Sequence, residues 1–558
     1  KIIAHLSSPF VKGCGRKQAK RIVDKLGTDA IEIILEQKEQ ALTGIKGIGK
    51  KKAKWISDSI AESYELQNII GELSEYGINP NIIVKLYEKY GSITADYIKE
   101  NPYRLTELKY MSFPKADEIA QQMEISPLSG FRIRACVNYI LRNHCYSFGH
   151  CFIKEDELIE HTMQLLNQNT DAENQVTIDE IERSIIALEE NSIVIKNGDV
   201  YPKELYTYEK KLAKKINYML STKPKKIRES KIDKAIKEYQ LANGITLGEQ
   251  QKEAVKTALN NNITVLTGSA GTGKTTVVKA IIEIYDKFFP THEISLSAPT
   301  GRASKKLEES TGHFAQTNHR LLGYKQSDKN GQQAGFEYDE ENKLPHDFFV
   351  IDEMSMVDLH MAYSLFMAME RDAKILLIGD VNQLPAIGAG NVLKDLLETE
   401  VIPKVRLTEI YRQAKNSQII INANNVNAGK RVVVDHSRGD MYFINQQRDE
   451  GIFQMIIRSV LRFKELGYDT SDILVLSPMK KGIIGTIELN KKLQEVLNPK
   501  SVDKAEVKHG NRIFRVGDRV MQTVNQAEKG IYNGDIGTIT YIGEMEVEID
   551  DDTKAIKE

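Results

Sequence analysis

The sequence has few cysteines, no long apolar run and almost no net charge. Its 558 residues include four cysteines, all within the first 151 positions, so no disulfide framework can hold the rest of the chain. No apolar run approaches the roughly 18 residues that a membrane-spanning helix needs. A hydrophobic content of 41% and a charged content of 28% exclude collagen-like and mostly disordered chains. We therefore expect a globular protein of a reducing compartment, cytoplasmic by default, with no membrane partner.

The length and the first residue bear on domain organisation. At roughly 150 residues per domain, 558 residues correspond to about three or four domains. The sequence opens at Lys1 rather than at a methionine. We therefore expect this chain to be part of a longer protein.

Positive charge is concentrated locally, although the formal net charge is −2. Residues 1–60 carry 13 Lys or Arg against 6 Asp or Glu, and residues 201–240 carry 12 against 5. Such stretches can neutralise DNA phosphates, and they can equally be solvated helix faces with extended lysine side chains. Charge alone leaves both interpretations open.

A short glycine motif occurs twice in the basic first 60 residues. Gly13 and Gly15 form the first Gly-x-Gly turn. A basic stretch with apolar residues at helical spacing follows this turn and also follows the second one. The second turn contains Gly47 and Gly49. This pattern is typical of a helix-hairpin-helix module, in which the amides at a helix start face a phosphate without reading base sequence. All four glycines are therefore predicted to bind DNA, and an ordinary helix bundle with glycine turns is the alternative.

The next region is predicted to be mostly helical. Apolar residues recur at helical spacing in Ile133–Leu141 and again in Leu205–Leu220. The segment His144–Cys151 contains two histidines and two cysteines, but it lacks the ligand spacing of a zinc finger. We expect core or turn residues there rather than a metal site.

From about residue 245, short β-rich runs alternate with helical segments, which indicates parallel α/β sheets. The runs are Ile263–Leu266, Ile294–Leu296, Phe348–Ile351, Ile375–Ile378 and Ile473–Leu476. Beyond Phe514 the chain changes to strands punctuated by glycine, which predicts the start of a small β-barrel.

The segment from Gly268 to Thr275 matches the P-loop pattern and lies between a predicted strand and a predicted helix. Glycines allow backbone amides to surround phosphates, Lys274 can reach the β- and γ-phosphates, and Thr275 offers a hydroxyl to Mg²⁺. ATP and Mg²⁺ are therefore the predicted cofactors. The residues predicted to contact the nucleotide here are Gly268, Ala270, Gly271, Thr272, Gly273, Lys274, Thr275 and Thr276.

An acidic pair follows another predicted strand. Phosphoryl transfer to water needs a carboxylate for Mg²⁺ and a group that orients the attacking water. Asp352 is predicted to hold the metal and Glu353 to act on the water. A further strand leads to Asp380 and Gln383, which places polar side chains where strand ends meet the γ-phosphate.

Together these motifs resemble those of superfamily 1 DNA helicases, and specifically the stand-alone RecD-like helicases that carry helix-hairpin-helix modules. The resemblance covers nearly the whole chain. Besides the P-loop, the segments that carry it are Gly248–Gln250, Ser297–Ala303, His319–Leu322, Asp352–Met356, Gly379–Pro385 and Leu407–Gln413.

The resemblance implies roles for individual residues. It implies that Gln250 contacts adenine, Gln383 senses the γ-phosphate and Arg412 is an arginine finger. It also implies that one set of residues lies along single-stranded DNA, namely Pro299, Thr300, Arg302 and His319.

Other features of the family concern segments rather than single residues. The polar segment 324–343 resembles the place where the family inserts a β-hairpin that separates the DNA strands. The family's later Thr-x-His-Lys-x-Gln-Gly and Thr-Arg motifs, and its N-terminal β-rich region, are not found. We therefore expect either a subset of a longer protein or a truncated product that hydrolyses ATP poorly.

These observations predict a multidomain, ATP-hydrolysing DNA helicase that works in DNA repair or recombination. Its predicted partners are single-stranded DNA and forked or tailed duplex, its state is monomeric, and its 5′ to 3′ polarity rests on the resemblance alone. The alternatives are a nucleotide-gated DNA-binding module that does not unwind, and a small-molecule P-loop kinase, which leaves the paired glycine turns unexplained. The predicted domains are a helical helix-hairpin-helix region (1–125), a helical, winged-helix-like linker domain (126–240), a first RecA-like α/β ATPase domain (241–400), an incomplete second RecA-like domain (401–512) and the start of a small inserted β-barrel (513–558).

Overall fold

The chain forms two compact units in the computed structural model. The first contains the described residues up to 144 together with 152–203, and the second contains 145–151 together with the described residues from 204 to 543. The finer division into five domains stays a prediction. The structure describes residues 2–7, 11–108, 111–168, 170–189, 191–269, 271–325, 334–409, 417–435, 437, 439–523, 526, 531 and 534–543.

The first unit begins with a series of helices. They are α1 (Ile2–Leu6), α2 (Arg16–Leu26), α3 (Ala30–Gln37), α4 (Lys50–Ser74), α5 (Pro80–Tyr90), α6 (Thr94–Glu100) and α7 (Phe113–Gln122). Gly15 and Gly49 immediately precede α2 and α4, so each glycine turn leads into a helix as the motif predicted. The apolar residues at helical spacing in α2 and α4 share one core, to which each motif contributes two residues, Ala19, Ile22, Ala53 and Ile56.

Three further helices and a small sheet follow in the order of a winged helix. They are α8 (Gly130–Phe148), β1 (Ile153–Lys154), α9 (Glu155–Leu166), α10 (Ile178–Glu189), β2 (Ile193–Lys196) and β3 (Asp199–Pro202). The strands pair antiparallel in the order β1-β3-β2. The helix that apolar spacing predicts over 133–141 is confirmed within α8.

A buried ion pair ties α7 to α8. Arg132 Nε and Nη2 donate to the two carboxylate oxygens of Asp117 at 2.9 and 3.0 Å. The hydroxyl of Tyr103 donates to Asp117 at 2.7 Å, and Arg132 Nη2 also donates to the carbonyl of Leu166 at 3.2 Å. Both charges are therefore compensated by direct partners in a region from which water is largely excluded.

The second unit is built on a six-stranded parallel sheet with the order β6-β5-β7-β8-β4-β9. Its strands are β4 (Ile263–Gly268), β5 (Ile294–Ala298), β6 (Ala315–Thr317), β7 (Phe348–Ile351), β8 (Lys374–Gly379) and β9 (Lys404–Leu407). The parallel α/β architecture and the strands predicted at 263–266, 294–296, 348–351 and 375–378 are confirmed. The accompanying helices are α11 (Lys203–Ser221), α12 (Glu229–Asn243), α13 (Glu249–Asn260), α14 (Lys274–Phe288), α15 (Gly301–Thr311), α16 (Asn318–Leu321), α17 (Leu359–Ala368) and α18 (Val392–Glu398).

The central strands of this sheet are covered on both faces, which explains why their sequences are continuous apolar runs. Every residue of β4, β7 and β8 is buried. Leu266, Leu296 and Val350 share one core with apolar residues of α13 and α14. Because parallel strands end at the same edge of a sheet, the segments that follow β4, β5, β7 and β8 converge at that edge.

The region after β9 differs from the prediction. It contains α19 (Gln418–Asn427), α20 (Asp449–Glu465) and α21 (Thr486–Leu497), and its described residues from 417 to 505 contain no strand. The strand predicted at Ile473–Leu476 is therefore wrong, and Leu474 and Leu476 are 63% and 83% exposed. A strand needs a neighbour to pair with its backbone N–H and C=O groups, and the described residues supply none here. A second RecA-like domain over 401–512 stays a prediction.

Two antiparallel strand pairs lie further along the chain. β10 (Glu506–His509) pairs with β11 (Arg512–Arg515), and β12 (Arg519–Met521) pairs with β13 (Ile536–Thr538). Strands are therefore confirmed in the glycine-punctuated region, whereas closure into a barrel stays a prediction.

The predicted strand-separating hairpin is described only at its base. Lys325 and Gly335 form an antiparallel bridge, and residues 326–333 between them lie outside the described residues. In the described parts of the chain, no helix combines the length and the apolarity that crossing a membrane requires.

Candidate nucleotide and DNA site

The P-loop joins the carboxyl end of β4 to the start of α14. Gly271 and Gly273 have φ angles of +81° and +77°, which lie in the left-handed region that favours glycine. At Gly268 a side chain has no room, because an added Cβ would lie 2.7 Å from Thr272 Oγ1 and 2.8 Å from the Leu407 carbonyl oxygen. These residues therefore form a narrow backbone cradle. Ala270 lies outside the described residues.

Lys274 places its positive charge against this cradle. Its ammonium donates to the carbonyl of Gly268 and, at 3.3 Å, to that of Ser269. Thr275 and Thr276 follow in the first turn of α14, and both are exposed. A helix start with a lysine and glycine-rich backbone is suited to an anionic phosphate, so the residues present fit a nucleotide.

The acidic pair lies directly after β7. Burial raises the pKa of Asp352, while the hydrogen bond from the Glu353 amide and the charges of Lys274 and Lys306 oppose that rise. Burial also raises the pKa of Glu353, and the negative charge of Asp352 adds to the effect. Glu353 has φ 53° and ψ 43°, a left-handed conformation that costs a non-glycine residue about 1–3 kcal/mol. Strain and raised pKa values in an acidic pair indicate a functional position.

The loop after β8 reaches the P-loop. Asp380 is buried, and its carbonyl accepts a hydrogen bond from the Gln383 amide at 3.1 Å. Asn382 Nδ2 lies 3.5 Å from Ser269 Oγ, so the loop that carries Gln383 is next to the phosphate cradle. The side chain of Gln383 is exposed.

Gln250 lies at the start of α13 and is bonded to the end of β9. Its Nε2 donates to Thr408 Oγ1 at 2.8 Å, and its Oε1 accepts from the Thr408 amide at 2.8 Å. The side-chain amide of Gln250, which is predicted to contact adenine, thus links α13 to the residue that follows β9. The predicted arginine finger, Arg412, lies outside the described residues.

The residues predicted to follow single-stranded DNA come after β5. Thr300 caps α15, since its Oγ1 accepts from the Ala303 amide at 3.2 Å. Arg302 is exposed in the first turn of α15, and Pro299 is half-buried just before the cap. The structure therefore gives Thr300 a local role in starting the helix that presents Arg302.

His319 lies two residues after the neighbouring strand, β6. The last residue of β6, Thr317, pairs with Ala298 of β5. Its ring centroid lies 5.6 Å from that of Tyr324 and 6.0 Å from that of Phe336. Burial lowers the pKa of His319. His319 is therefore at the same sheet edge as Thr300, within an aromatic group at the base of segment 324–343.

Sequence reasoning missed Lys306. It lies four residues after Arg302 in α15, so the two side chains share one face of the helix. Its positive charge opposes the rise in the pKa of both Asp352 and Glu353. A basic pair at this spacing, directly after a predicted strand, was the available signal.

In the first unit, only one glycine of each turn needs its conformational freedom. Gly13 and Gly47 have φ angles of +78° and +90°, whereas Gly15 and Gly49 have −71° and −82°. The amide of Gly15 already donates to Gln18 Oε1 at 3.0 Å. No side chain caps the start of α4.

The sheet edge of the second unit has the arrangement of a P-loop NTPase. Family models match four parts of the chain: a SAM-like helix-hairpin-helix tandem at residues 6–62, the ATP-dependent RecD2 DNA helicase HHH domain at 62–152, an AAA domain at 251–389 and the ATP-dependent RecD-like DNA helicase SH3 domain at 489–556. The chain is therefore similar to the RecD-like ATP-dependent DNA helicases.

Individual relatives are similar over different lengths. The ATP-dependent RecD2 DNA helicase of Deinococcus radiodurans is 29% identical over 95% of this chain and 71% of its own length. The RecBCD enzyme subunit RecD of Mycolicibacterium smegmatis is 27% identical over 52% of this chain and 57% of its own length. A solved Pif1 helicase from Bacteroides, in complex with ADP-AlF3 and ssDNA, is 22% identical over 54% of this chain and 71% of its own, with a TM-score of 0.32, which is too low to support a conclusion.

Proposed function

We propose that this chain couples ATP hydrolysis to 5′ to 3′ movement along single-stranded DNA and thereby unwinds forked or tailed duplex. Similarity to RecD-like helicases supports the DNA helicase activity, and the relative aligned over 95% of this chain in Deinococcus radiodurans is described as an ATP-dependent RecD2 DNA helicase. The 5′ to 3′ polarity and the preference for forked or tailed duplex rest on the resemblance of the motifs.

The residues of the second unit divide the work of hydrolysis. The P-loop amides and Lys274 bind the β- and γ-phosphates, and Gln250 contacts the adenine once its link to Thr408 opens. Glu353 accepts a proton from the attacking water, and Gln383 responds to the presence of the γ-phosphate. Arg412 completes the site as the arginine finger.

Thr275 and Asp352 would hold Mg²⁺. The ion, when bound, neutralises charge on the phosphates. Asp352 suits this role because burial deprives its carboxylate of solvation, which raises its pKa. A bound cation would stabilise the ionised carboxylate in place of the lost water. The opposing charges of Lys274 and Lys306 help to keep Asp352 ionised in the absence of the ion.

One observation carries the link between hydrolysis and DNA. The amide of Asp352 donates to the carbonyl of Ser297 in β5 at 2.9 Å. Ser297 precedes Pro299 and Thr300 by two and three residues, so the acidic pair and the predicted DNA segment are attached to hydrogen-bonded neighbouring strands. We infer that a change at the γ-phosphate reaches the DNA segment through the backbone hydrogen bonds that join β7 to β5.

The test is ATP turnover with and without single-stranded DNA, measured as phosphate release. We expect single-stranded DNA to stimulate turnover and Arg302→Ala to reduce that stimulation without abolishing basal turnover. Lys287→Ala is the control, because Lys287 is an exposed basic residue in the last turn of α14, at the end of that helix opposite the P-loop. Nucleotide binding without any DNA-stimulated turnover would instead support the nucleotide-gated DNA-binding module.

A further inference from the structure

Trp55, the single tryptophan of the chain, is an exposed aromatic residue beside the first glycine turn. It lies in the second turn of α4, and it is 56% exposed. Part of its ring covers Gly13, since an added Cβ at Gly13 would lie 3.1 Å from the indole Cε3. One turn further along α4, Ser59 Oγ accepts a hydrogen bond from the Lys12 amide at 2.7 Å. The first glycine turn is therefore docked on α4, with the indole at the junction.

Positive charge surrounds this junction. Residues 11–21 and 46–57, which build the two turns and the helix starts after them, contain ten Lys or Arg and no Asp or Glu. Lys51 and Lys54 lie beside Trp55 in α4 and are exposed. The next acidic residue of the helix is Asp58. An exposed aromatic ring with a basic rim is the kind of surface on which unpaired bases stack in proteins that bind single-stranded DNA.

Tyr64 provides an internal comparison. It is an exposed aromatic residue of the same helix, with 44% of its surface accessible. Glu62 and Glu65 lie on either side of it, and Glu65 Oε2 accepts a hydrogen bond from the hydroxyl of Tyr87 at 2.7 Å. An acidic rim repels the DNA backbone. Of these two residues, therefore, only Trp55 combines an exposed aromatic ring with neighbouring positive charge.

We propose that Trp55 stacks on an unpaired DNA base while the glycine turns hold the neighbouring backbone. The tandem hairpins then recognise single-stranded DNA or a frayed duplex end, and not only the duplex backbone. The inference deepens the proposed function, because it rests on the assignment of the hairpins to DNA. The Trp55 surface is distinct from the DNA segment after β5, which belongs to the second unit.

Tryptophan fluorescence, excited selectively over that of the tyrosines, tests the proposal directly, because Trp55 is the single tryptophan of the chain. We expect single-stranded oligothymidylate, added to the nucleotide-free protein, to quench the emission in a saturable way. A covalently closed circular duplex, which has neither ends nor unpaired loops, should leave the emission almost unchanged. Equal quenching by both DNAs, or quenching by neither, would overturn the proposal; the second result would favour a protein partner for the exposed indole.

Two substitutions distinguish stacking of the Trp55 ring on a base from a structural role in which the ring only covers Gly13. Trp55→Phe keeps an aromatic face, whereas Trp55→Leu covers Gly13 without one. Affinity is measured by anisotropy of a labelled single strand, in a chain that also carries Arg302→Ala so that the second unit does not mask the difference. We expect the Leu variant to bind roughly tenfold more weakly, and the Phe variant and the Tyr64→Leu control to bind nearly as the parent does. Equal affinity of the Leu and Phe variants, both folded by circular dichroism, would show that the ring is only a cover.

A third variant distinguishes failure of the stacking from failure of the hairpin assignment. If Gly47→Val loses duplex binding while Trp55→Leu binds single strands like its parent, stacking is wrong and the hairpins still bind DNA. If neither substitution changes DNA binding, the assignment of the hairpins to DNA is wrong as well.

Discussion

Glu353 combines, at the scale of one residue, three features that support its proposed role in hydrolysis. Its backbone is left-handed, its carboxyl is half-buried, and its pKa is raised by burial and by Asp352. A carboxylate with a raised pKa is a better proton acceptor than an ordinary surface glutamate. The strained backbone and the burial of a carboxyl both cost stability, which favours a functional explanation of this position.

The acidic pair leads to a prediction about separate steps of the ATPase. Glu353→Gln should bind ATP about as tightly as the parent but hydrolyse it roughly 100- to 10,000-fold more slowly, because the proton acceptor is lost. Lys274→Ala should weaken binding and hydrolysis together, since the lysine charge faces the phosphates in both states. Binding of a fluorescent nucleotide and release of phosphate are measured separately. Near-parental turnover in Glu353→Gln would show that another group accepts the proton.

The Arg132–Asp117 pair leads to a prediction about stability. Arg132→Ala leaves the Asp117 carboxylate buried without its bidentate partner, which should cost the first unit about 3–5 kcal/mol. The measurement is urea unfolding followed by circular dichroism. Lys89→Ala is the control: it removes an exposed ion pair with Glu107 and should cost less than about 1 kcal/mol. Equal losses in the two variants would contradict the role of the buried network.

At the scale of the element, the two glycine turns are alike in backbone but differ in surroundings. The first glycine of each has a positive φ, and the second begins a helix with an ordinary φ. Gly13 lies under Trp55, whereas Gly47 lies against Arg21, whose guanidinium donates to the Lys46 carbonyl at 2.8 Å. The sequence motif is thus repeated in conformation, while each copy is held in place by a different side chain.

The turns lead to a prediction about DNA binding. Gly47→Val places a β-branched residue at φ +90°, a conformation that L side chains rarely adopt, so the backbone of the turn is strained; the new Cβ also lies 3.0 Å from Arg21 Nη1, which must shift. Loss of a charge-assisted contact with a phosphate should lower the affinity for duplex DNA roughly tenfold or more. Binding is measured by anisotropy at two salt concentrations, and the salt dependence should become shallower as contacts are lost.

Two controls accompany this substitution. Gly27→Val introduces the same kind of strain at φ +75°, after α2 and away from both turns, and should lower stability without lowering DNA affinity. Gly49→Val should fold without strain, because its φ is −82° and no atom lies within 4 Å of an added Cβ, so any loss of affinity reports crowding against DNA. Parental affinity in all three variants would indicate diffuse attraction by the lysines.

At the scale of the whole molecule, the order of the strands in the second unit decides which of the predicted site segments lie next to one another. The strand of the acidic pair, β7, lies between β5, which leads to Thr300, and β8, which leads to Gln383. The P-loop strand β4 is on the far side of β8. The segments predicted to bind nucleotide and DNA are therefore adjacent along one edge without sharing a strand.

The direction of movement is a property of the complete motor. We expect a partial duplex with a 5′ single-stranded tail to be unwound in the presence of ATP, and a duplex with only a 3′ tail to remain paired. Gel separation of a labelled strand measures both reactions, with Lys274→Ala as the control for dependence on ATP. Preference for the 3′ tail would place the chain in the branch of opposite polarity.

Much of the candidate site could be predicted because its chemistry is local. The P-loop, the acidic pair after an apolar strand and the glycine turns are contiguous motifs whose backbone geometry depends on nearby residues. The strand predicted at Ile473–Leu476 failed for the opposite reason. An apolar run can form a strand only if another segment pairs with it, and its own composition does not say whether one does.

The amino-acid sequence by itself determined which residues are candidates for the chemistry: the lysine and glycines of the cradle, the carboxylates after β7 and the basic turns of the first 60 residues. The tertiary structure alone decided which of them are neighbours. The bond from Asp352 to β5, the position of Lys306 beside the acidic pair and the contact of Trp55 with Gly13 each join residues far apart in the chain. Such contacts depend on long-range pairing and packing, whose free energy is shared among many residues and is not encoded at any one of them.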